Sequence, residues 1–211
     1  MNFEAARRHM VESQVRTNDV TDLRIQEAME TTPREIFLPN ELRDQAYVER
    51  ELQYAPGRRM IVARDFAKLV QAADPEPGDL ALDIACGTGY STAILSRLTE
   101  MVVAVEPDQA LAETAQQNLS GLDISNAAVI VGDPAKGAEG QGPFDIIFLG
   151  AAIERQPTEL FSQLKDGGRL ATIMRADGVS RGVVYQKSGS AVAPRNAFDA
   201  ATAAILPGFE R

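Results

Sequence analysis

The sequence LALDIACGTGY, residues 80–90, decides the predicted fold of this chain. Its first five residues, apolar except for Asp83, are typical of a buried strand, and they lead into a glycine-rich turn. A helix with apolar positions at Ile94, Leu95 and Leu98 is predicted to follow. Glycines let a backbone turn sharply and approach a ligand closely, and a helix N-terminus offers free N–H groups. The stretch therefore predicts a site for a polar ligand.

Beyond this stretch, short apolar runs alternate with helical periods. Further strands are predicted at residues 101–106, 127–131, 144–149 and 169–174, with crossover helices at 91–98, 108–119 and 158–164. Strands that are apolar on both faces and separated by helices indicate a parallel sheet covered on both sides. Residues 182–186 and 191–198 are predicted to add an antiparallel hairpin at the sheet edge. The predicted fold class is α/β, with a doubly wound, mostly parallel sheet.

The first 75 residues have a different pattern. Helical spacing of apolar residues predicts small helices here, including one from about Val62 to Ala73, and it predicts no sheet. We therefore expect an N-terminal helical region at residues 1–75, followed by an α/β core with its C-terminal hairpin at residues 76–211.

Composition excludes several classes of partner and site. The net charge of −9 and the pI near 4.7 exclude a broad electrostatic surface for nucleic acid or an anionic membrane, so a small molecule or a protein is the expected partner. The single cysteine, Cys86, excludes an intramolecular disulfide, and no metal site is predicted. The chain has no signal-peptide pattern and no membrane-spanning apolar run, so we expect a cytoplasmic protein. The sequence does not indicate the oligomeric state.

Three carboxylates mark the predicted strand ends. Asp83 ends the first strand of the core, Glu106 ends the second and Asp133 follows the third. Ligands of such sheets lie at the carboxyl ends of the strands, and an acid about twenty residues beyond the glycine turn suits ribose hydroxyls. The turn lacks the third glycine of the dinucleotide-binding fingerprint, which disfavours a nicotinamide or flavin cofactor.

The turn and its acids resemble the nucleoside site of class I S-adenosylmethionine-dependent methyltransferases. This resemblance implies that Gly87 and Gly89 let the backbone approach S-adenosyl-L-methionine, that Glu106 binds its ribose, that Asp133 faces its adenine and that Asp83 lies near its methionine end. The same predicted cofactor site includes Ala85, Cys86, Tyr90 and Pro107. Ala85 stands where the pattern usually has its first glycine, and we expect it to keep a negative φ.

The chain also resembles one family, the protein-L-isoaspartate O-methyltransferases, over nearly its full length. The resemblance rests on PREIF at residues 33–37, GPFDIIFLGAA at 142–152 and QLKDGGRL at 163–170. It implies methylation of isoaspartyl carboxylates in damaged proteins, with residues 1–75 on the substrate side. An isoaspartyl carboxylate is already ionised near pH 7, so no general base is needed and no catalytic residue is predicted.

One segment departs from the family pattern. The family carries a segment like G-x-T-I-S-x-P, whereas Gly57 is followed here by RRMIVA, so Arg59 and Ile61 stand where the hydroxyl residues would be. We hypothesise that Arg58 and Arg59 form a replacement site for a carboxylate. The alternative is that both are solvated loop charges. The departure also leaves open a different carboxylate or small-molecule acceptor, or a cofactor-binding protein without catalysis.

Overall fold

The computed structural model describes residues 2–211. Its N-terminal part contains helices α1 (Phe3–Met10) and α2 (Leu23–Thr31), separated by a π-helical turn at Val11–Val15 and a 3-10 turn at Arg16–Asn18. Two further 3-10 turns span Arg34–Phe37 and Asn40–Gln45. Asn2 caps α1 and Asp22 caps α2, each by accepting a backbone N–H of the first turn.

A short antiparallel hairpin follows, made of β1 (Leu52–Ala55) and β2 (Arg58–Met60). The prediction that the first 75 residues contain no sheet is wrong at this point. These strands have four and three residues, too few for a period-2 pattern to stand out in a polar stretch. We call residues 52–60 the β1–β2 hairpin. The predicted helix after it is α3, Ala63–Ala73.

The core is a seven-stranded sheet in the order β5-β4-β3-β6-β7-β8-β9. Its strands are β3 (Leu80–Ile84), β4 (Met101–Glu106), β5 (Ala127–Val131), β6 (Phe144–Ile153), β7 (Leu164–Ala176), β8 (Val179–Ser188) and β9 (Ala191–Ala200). Pairing is parallel from β5 to β7 and antiparallel for β8 and β9. The predicted mostly parallel α/β fold with an antiparallel edge hairpin is confirmed.

The three predicted crossovers are helical, with different bounds, whereas residues 132–143 between β5 and β6 form only turns. The helical crossovers are α4 (Tyr90–Leu95), α5 (Gln109–Gly121) and a 3-10 segment, Thr158–Gln163, in place of the third predicted helix. The chain winds from β3 outward through β4 to β5, and then returns to place β6 on the other side of β3. Ligand sites of doubly wound sheets lie at the strand ends beside such a reversal.

The N-terminal helices pack on the sheet and do not form a separate core. One apolar cluster joins Met10 of α1, Met29 of α2 and Phe66 of α3 to Phe148 of β6 and Val184 of β8. A second cluster fills the opposite face of the sheet. Within residues 2–211 no helix is long and apolar enough to cross a membrane.

Candidate active site

The glycine-rich turn leaves β3 at Ile84 and enters α4 at Tyr90. Three of its residues have positive φ: Ala85 at 57°, Gly87 at 60° and Gly89 at 96°. The expectation that Ala85 keeps a negative φ is wrong. A residue with a Cβ is less stable in this left-handed region than glycine, so the turn holds Ala85 at an energetic cost. Gly89 also approaches α5 closely, since a Cβ on it would lie 3.2 Å from the Cβ of Ala115.

Asp83 is fully buried directly before the turn. Its Oδ2 accepts hydrogen bonds from the hydroxyls of Ser91 and Thr92, both at 2.7 Å. Its Oδ1 is buried without a partner among the described residues 2–211. Burial raises the pKa of Asp83 to about 7, against the lowering effect of the two hydroxyls. The carboxyl therefore has one acceptor atom free for a ligand.

Glu106 ends β4 beside the turn and is fully buried. Its two oxygens accept hydrogen bonds from the two terminal nitrogens of Arg58, from Nη1 to Oε1 at 2.6 Å and from Nη2 to Oε2 at 2.7 Å. The backbone N–H of Gly87 donates to Oε2 at 2.7 Å and that of Asp108 donates to Oε1 at 3.2 Å. The predicted ribose acid thus holds a bidentate ion pair with a residue of the β1–β2 hairpin.

The remaining predicted cofactor residues lie at the same edge of the sheet. Pro107 is exposed directly after Glu106, and Asp133 is exposed two residues after β5. Gly132 N–H donates to the backbone oxygen of Glu106 at 3.1 Å, which draws the Asp133 segment toward β4. Asp133 Oδ1 accepts the N–H of Ala135 at 3.0 Å.

Cys86 is buried within the turn. Burial raises the pKa of its thiol well above the usual value, and the nearby carboxyls of Asp83 and Glu106 raise it further. Its thiol is therefore held protonated, which does not suit a nucleophile. Among residues 2–211 no group of three or more potential ligands could hold a metal ion.

A cavity of about 60 Å³ opens between the turn, the β1–β2 hairpin and the C-terminal segment. The segment that departs from the family pattern forms one wall of this cavity, from Gly57 to Ile61, and Ala204, Ile205 and Leu206 form another. Arg59 lies at this wall with an exposed side chain, and its Nη2 donates to Gln53 Oε1 at 3.0 Å. Arg58 is buried on Glu106.

Sequence reasoning missed Arg34 as a residue of the cavity wall. It is 1% exposed, and it donates from Nε to Ala46 O at 2.9 Å and from Nη2 to Ile61 O at 2.6 Å. Its third nitrogen, Nη1, and the hydroxyl of Tyr90 are buried without partners among residues 2–211. The guanidinium carbon lies 4.8 Å from the centre of the Tyr90 ring. Arg34 belongs to the PREIF motif, which is the one signal that could have drawn attention to it.

Tyr54 on β1 was also missed. A Cβ placed on Gly87 would overlap the Tyr54 hydroxyl oxygen, so this hydroxyl rests against the glycine turn. Burial raises the pKa of Tyr54 to about 12. No pattern in the sequence predicts this contact, because it depends on where the hairpin folds back onto the sheet.

Comparison with known proteins identifies the family. The sequence profile of the protein-L-isoaspartate(D-aspartate) O-methyltransferase family matches residues 5–197. The chain belongs to this family. Members named protein-L-isoaspartate O-methyltransferase include one from Koribacter versatilis, 35% identical over 168 residues that cover 80% of this chain and 76% of the relative. One from Aeropyrum pernix is 37% identical over 172 residues, covering 80% of this chain and 66% of the relative.

Solved structures agree with the family assignment. A protein-L-isoaspartate O-methyltransferase superposes with a TM-score of 0.81 at 25% identity, over 95% of this chain and 66% of that one. A Plasmodium falciparum protein described as of this family, in complex with S-adenosyl-L-homocysteine, superposes with a TM-score of 0.77 at 19% identity, over 94% of this chain and 97% of that one. The family uses S-adenosyl-L-methionine, and its members are methyltransferases.

Proposed function

We propose that this protein transfers a methyl group from S-adenosyl-L-methionine to isoaspartyl carboxylates of damaged proteins. The observation that carries the proposal is the glycine turn beside Glu106 in a chain that matches the family profile over residues 5–197. The names of the relatives do not favour the alternatives of a different acceptor or of a protein without catalysis.

The site offers suitable groups for each part of the cofactor. Gly87 and Gly89 present backbone without side chains, and Glu106 is the proposed ribose ligand. Asp133 is proposed at the adenine and Asp83, with its unpartnered oxygen, at the methionine end. When bound, the cofactor would supply a methyl group carried on a sulfonium, whose sulfur leaves as a neutral thioether when the methyl is transferred. The present partner of Glu106 is Arg58, so the ribose needs that partner to move.

The chemistry asks the protein mainly to orient the acceptor and exclude water. An acceptor carboxylate carries its own negative charge near pH 7, so no side chain has to remove a proton. Arginines are the groups on the cavity wall that favour a carboxylate there. Arg59 bonds to the neutral amide of Gln53, so that contact leaves its charge uncompensated. Arg59 is therefore a proposed acceptor-side residue in the free protein, and Arg58 is proposed to join it when it leaves Glu106.

A methyl-transfer assay tests the proposal. Labelled S-adenosyl-L-methionine should methylate a peptide containing isoaspartate and leave the same peptide with ordinary aspartate unlabelled. Arg59→Gln should raise KM for the peptide several-fold with little change in kcat, and Arg59→Lys should retain part of the affinity. Equal labelling of both peptides, or of neither, would contradict the proposed specificity.

The proposed acceptors are proteins or peptides, and the proposed compartment is the cytoplasm. Support for the acceptor comes from the family and the relatives' names. The proposed compartment follows the expectation from the sequence patterns. Cell fractionation with an antibody against the chain would test it, and recovery in an extracellular fraction would contradict it.

A further inference from the structure

The hydrogen-bonding capacity of Glu106 is fully used within the chain. A carboxylate has about four lone-pair positions. Two accept hydrogen bonds from the Arg58 guanidinium, at 2.6 and 2.7 Å. The other two accept the backbone N–H groups of Gly87 and Asp108. The backbone donors belong to the turn after β3 and to the residues after β4, so they are main-chain groups beside the strand ends. A ribose diol can therefore reach Glu106 only at the positions that Arg58 occupies.

Arg58 is held in place by more than this one residue. Its Nη2 also donates to the backbone oxygen of Ala85 at 2.8 Å, so one side chain spans from the glycine turn to the end of β4. Its side chain is 9% exposed, and that of Glu106 is 0% exposed. A bidentate arginine–carboxylate pair with little solvent around it is stronger than a surface pair.

Tyr54 reinforces the same closure from the other strand of the hairpin. Its hydroxyl rests against Gly87, on the side where that glycine has no side chain. A glycine at this position leaves space for a ligand beside the backbone, and in the free protein the hydroxyl of Tyr54 fills that space. Both strands of the β1–β2 hairpin therefore place a side chain on the predicted nucleoside site.

The hairpin itself is small and partly open to solvent. Gln53, Pro56, Gly57 and Arg59 are exposed, whereas Leu52, Arg58 and Met60 face inward. Its turn meets the C-terminal segment at Pro207, whose Cγ would lie 2.9 Å from a Cβ on Gly57. A short element with few buried residues is suited to local movement.

We propose that Arg58 competes with the cofactor ribose for Glu106 and thereby sets the affinity for S-adenosyl-L-methionine. In the free protein the Arg58–Glu106 pair closes the ribose subsite, and binding replaces the guanidinium by the ribose hydroxyls. A protein whose competent state is a minor fraction binds with its affinity reduced by that fraction. This inference rests on the proposed cofactor site and adds a determinant of its affinity.

Calorimetric titration of the full chain with S-adenosyl-L-methionine tests the inference without requiring turnover. Arg58→Gln should bind about tenfold or more tightly than the wild type, because the competing fork is gone. The cofactor affinity of Arg58→Lys should lie between those of the wild type and Arg58→Gln, because one ammonium group cannot bond to both oxygens of Glu106 as a guanidinium does. Arg50→Gln, at an exposed arginine two residues before β1, is the control, and its cofactor affinity should equal that of the wild type.

The outcomes separate the inference from the proposed function. Arg58→Lys keeps a positive charge beside buried Glu106, so it carries the test if Arg58→Gln does not fold. Binding that is equal or weaker in folded Arg58 variants overturns the inference and leaves the cofactor site standing. Absence of binding in the wild type and in every variant overturns both. S-adenosyl-L-homocysteine, which shares the ribose but lacks the sulfonium, should show the same order of affinities.

Discussion

Asp65 on α3 accepts hydrogen bonds from both the backbone N–H and the hydroxyl of Thr202, at 2.8 and 3.0 Å. Both residues are fully buried, and the N–H of Ala201 adds a third bond at 2.7 Å. The contact fastens the segment after β9, whose residues Ala204 to Leu206 line the cavity. The Asp65–Thr202 contact therefore links α3 to a wall of the cavity.

Replacing Asp65 should destabilise the protein strongly. Asp65→Ala leaves two backbone N–H groups without their acceptor, so we expect the free energy of unfolding to fall by about 3 kcal/mol or more. Thr202→Val removes the hydroxyl alone and should cost about 1 kcal/mol. Urea unfolding followed by circular dichroism measures both. An Asp65→Ala protein as stable as the wild type would show that the contact is unimportant.

Relieving the backbone of Ala85 should stabilise the protein. Its φ of 57° is unfavourable for a residue with a Cβ, so Ala85→Gly should raise the free energy of unfolding by about 1 kcal/mol. Ala110→Gly, in the exposed first turn of α5, is the control and should lower the same quantity by up to about 1 kcal/mol. If both substitutions destabilise equally, the turn does not hold Ala85 in the left-handed region.

Stability should depend on pH through Asp83. Its pKa is about 7 in the folded protein and near 3.8 when unfolded, so between these values the folded state binds more protons. The free energy of unfolding should then fall as pH rises from about 4 to about 7, by up to about 1.4 kcal/mol per pH unit. Urea titrations across this range should show a shallower slope for Asp83→Asn, and the exposed Asp133→Asn should retain the slope. Identical slopes in Asp83→Asn and wild type would contradict the assignment.

The hydroxyl of Tyr90 should be dispensable for stability. It is buried without a partner among residues 2–211, so Tyr90→Phe should leave the free energy of unfolding unchanged or raise it by up to about 1 kcal/mol. Tyr47→Phe is the contrasting variant, because that hydroxyl donates to Glu35 and accepts from Arg7. It should lose about 1 kcal/mol or more. A larger loss for Tyr90→Phe than for Tyr47→Phe would indicate a partner for the Tyr90 hydroxyl.

The sequence predicts the parallel strands well because they are short apolar runs bounded by polar residues and glycines. The predicted bounds at residues 80–84, 101–106 and 127–131 match β3, β4 and β5. The predicted end of β6 is too early, because the strand continues through Gly150 to Ile153. The predicted start of β7 is too late, because the strand already begins at Leu164 and includes polar and glycine residues. Pairing with a neighbouring strand, and not local composition, extends both strands.

The site is less predictable than the fold. Spacing and resemblance bring Asp83, Glu106 and the glycine turn to one edge, where the structure places them together. The partner of Glu106 lies 48 residues earlier in a polar stretch, where an arginine reads equally as a solvated charge. Its role depends on the fold of a hairpin too short to predict. The burial of Arg34 could not be predicted either, because arginines are seldom buried.

The single thiol of the chain has a practical consequence. Cys86 lies in the turn that Arg58 and Tyr54 contact, and its burial and raised pKa make it slow to react with alkylating reagents while the hairpin is closed. With no other cysteine to react, the alkylation rate reports how often that turn is uncovered. We expect faster alkylation in Arg58→Gln and slower alkylation at saturating cofactor. The alkylation rate of Cys86 therefore measures how often the glycine turn is exposed to solvent.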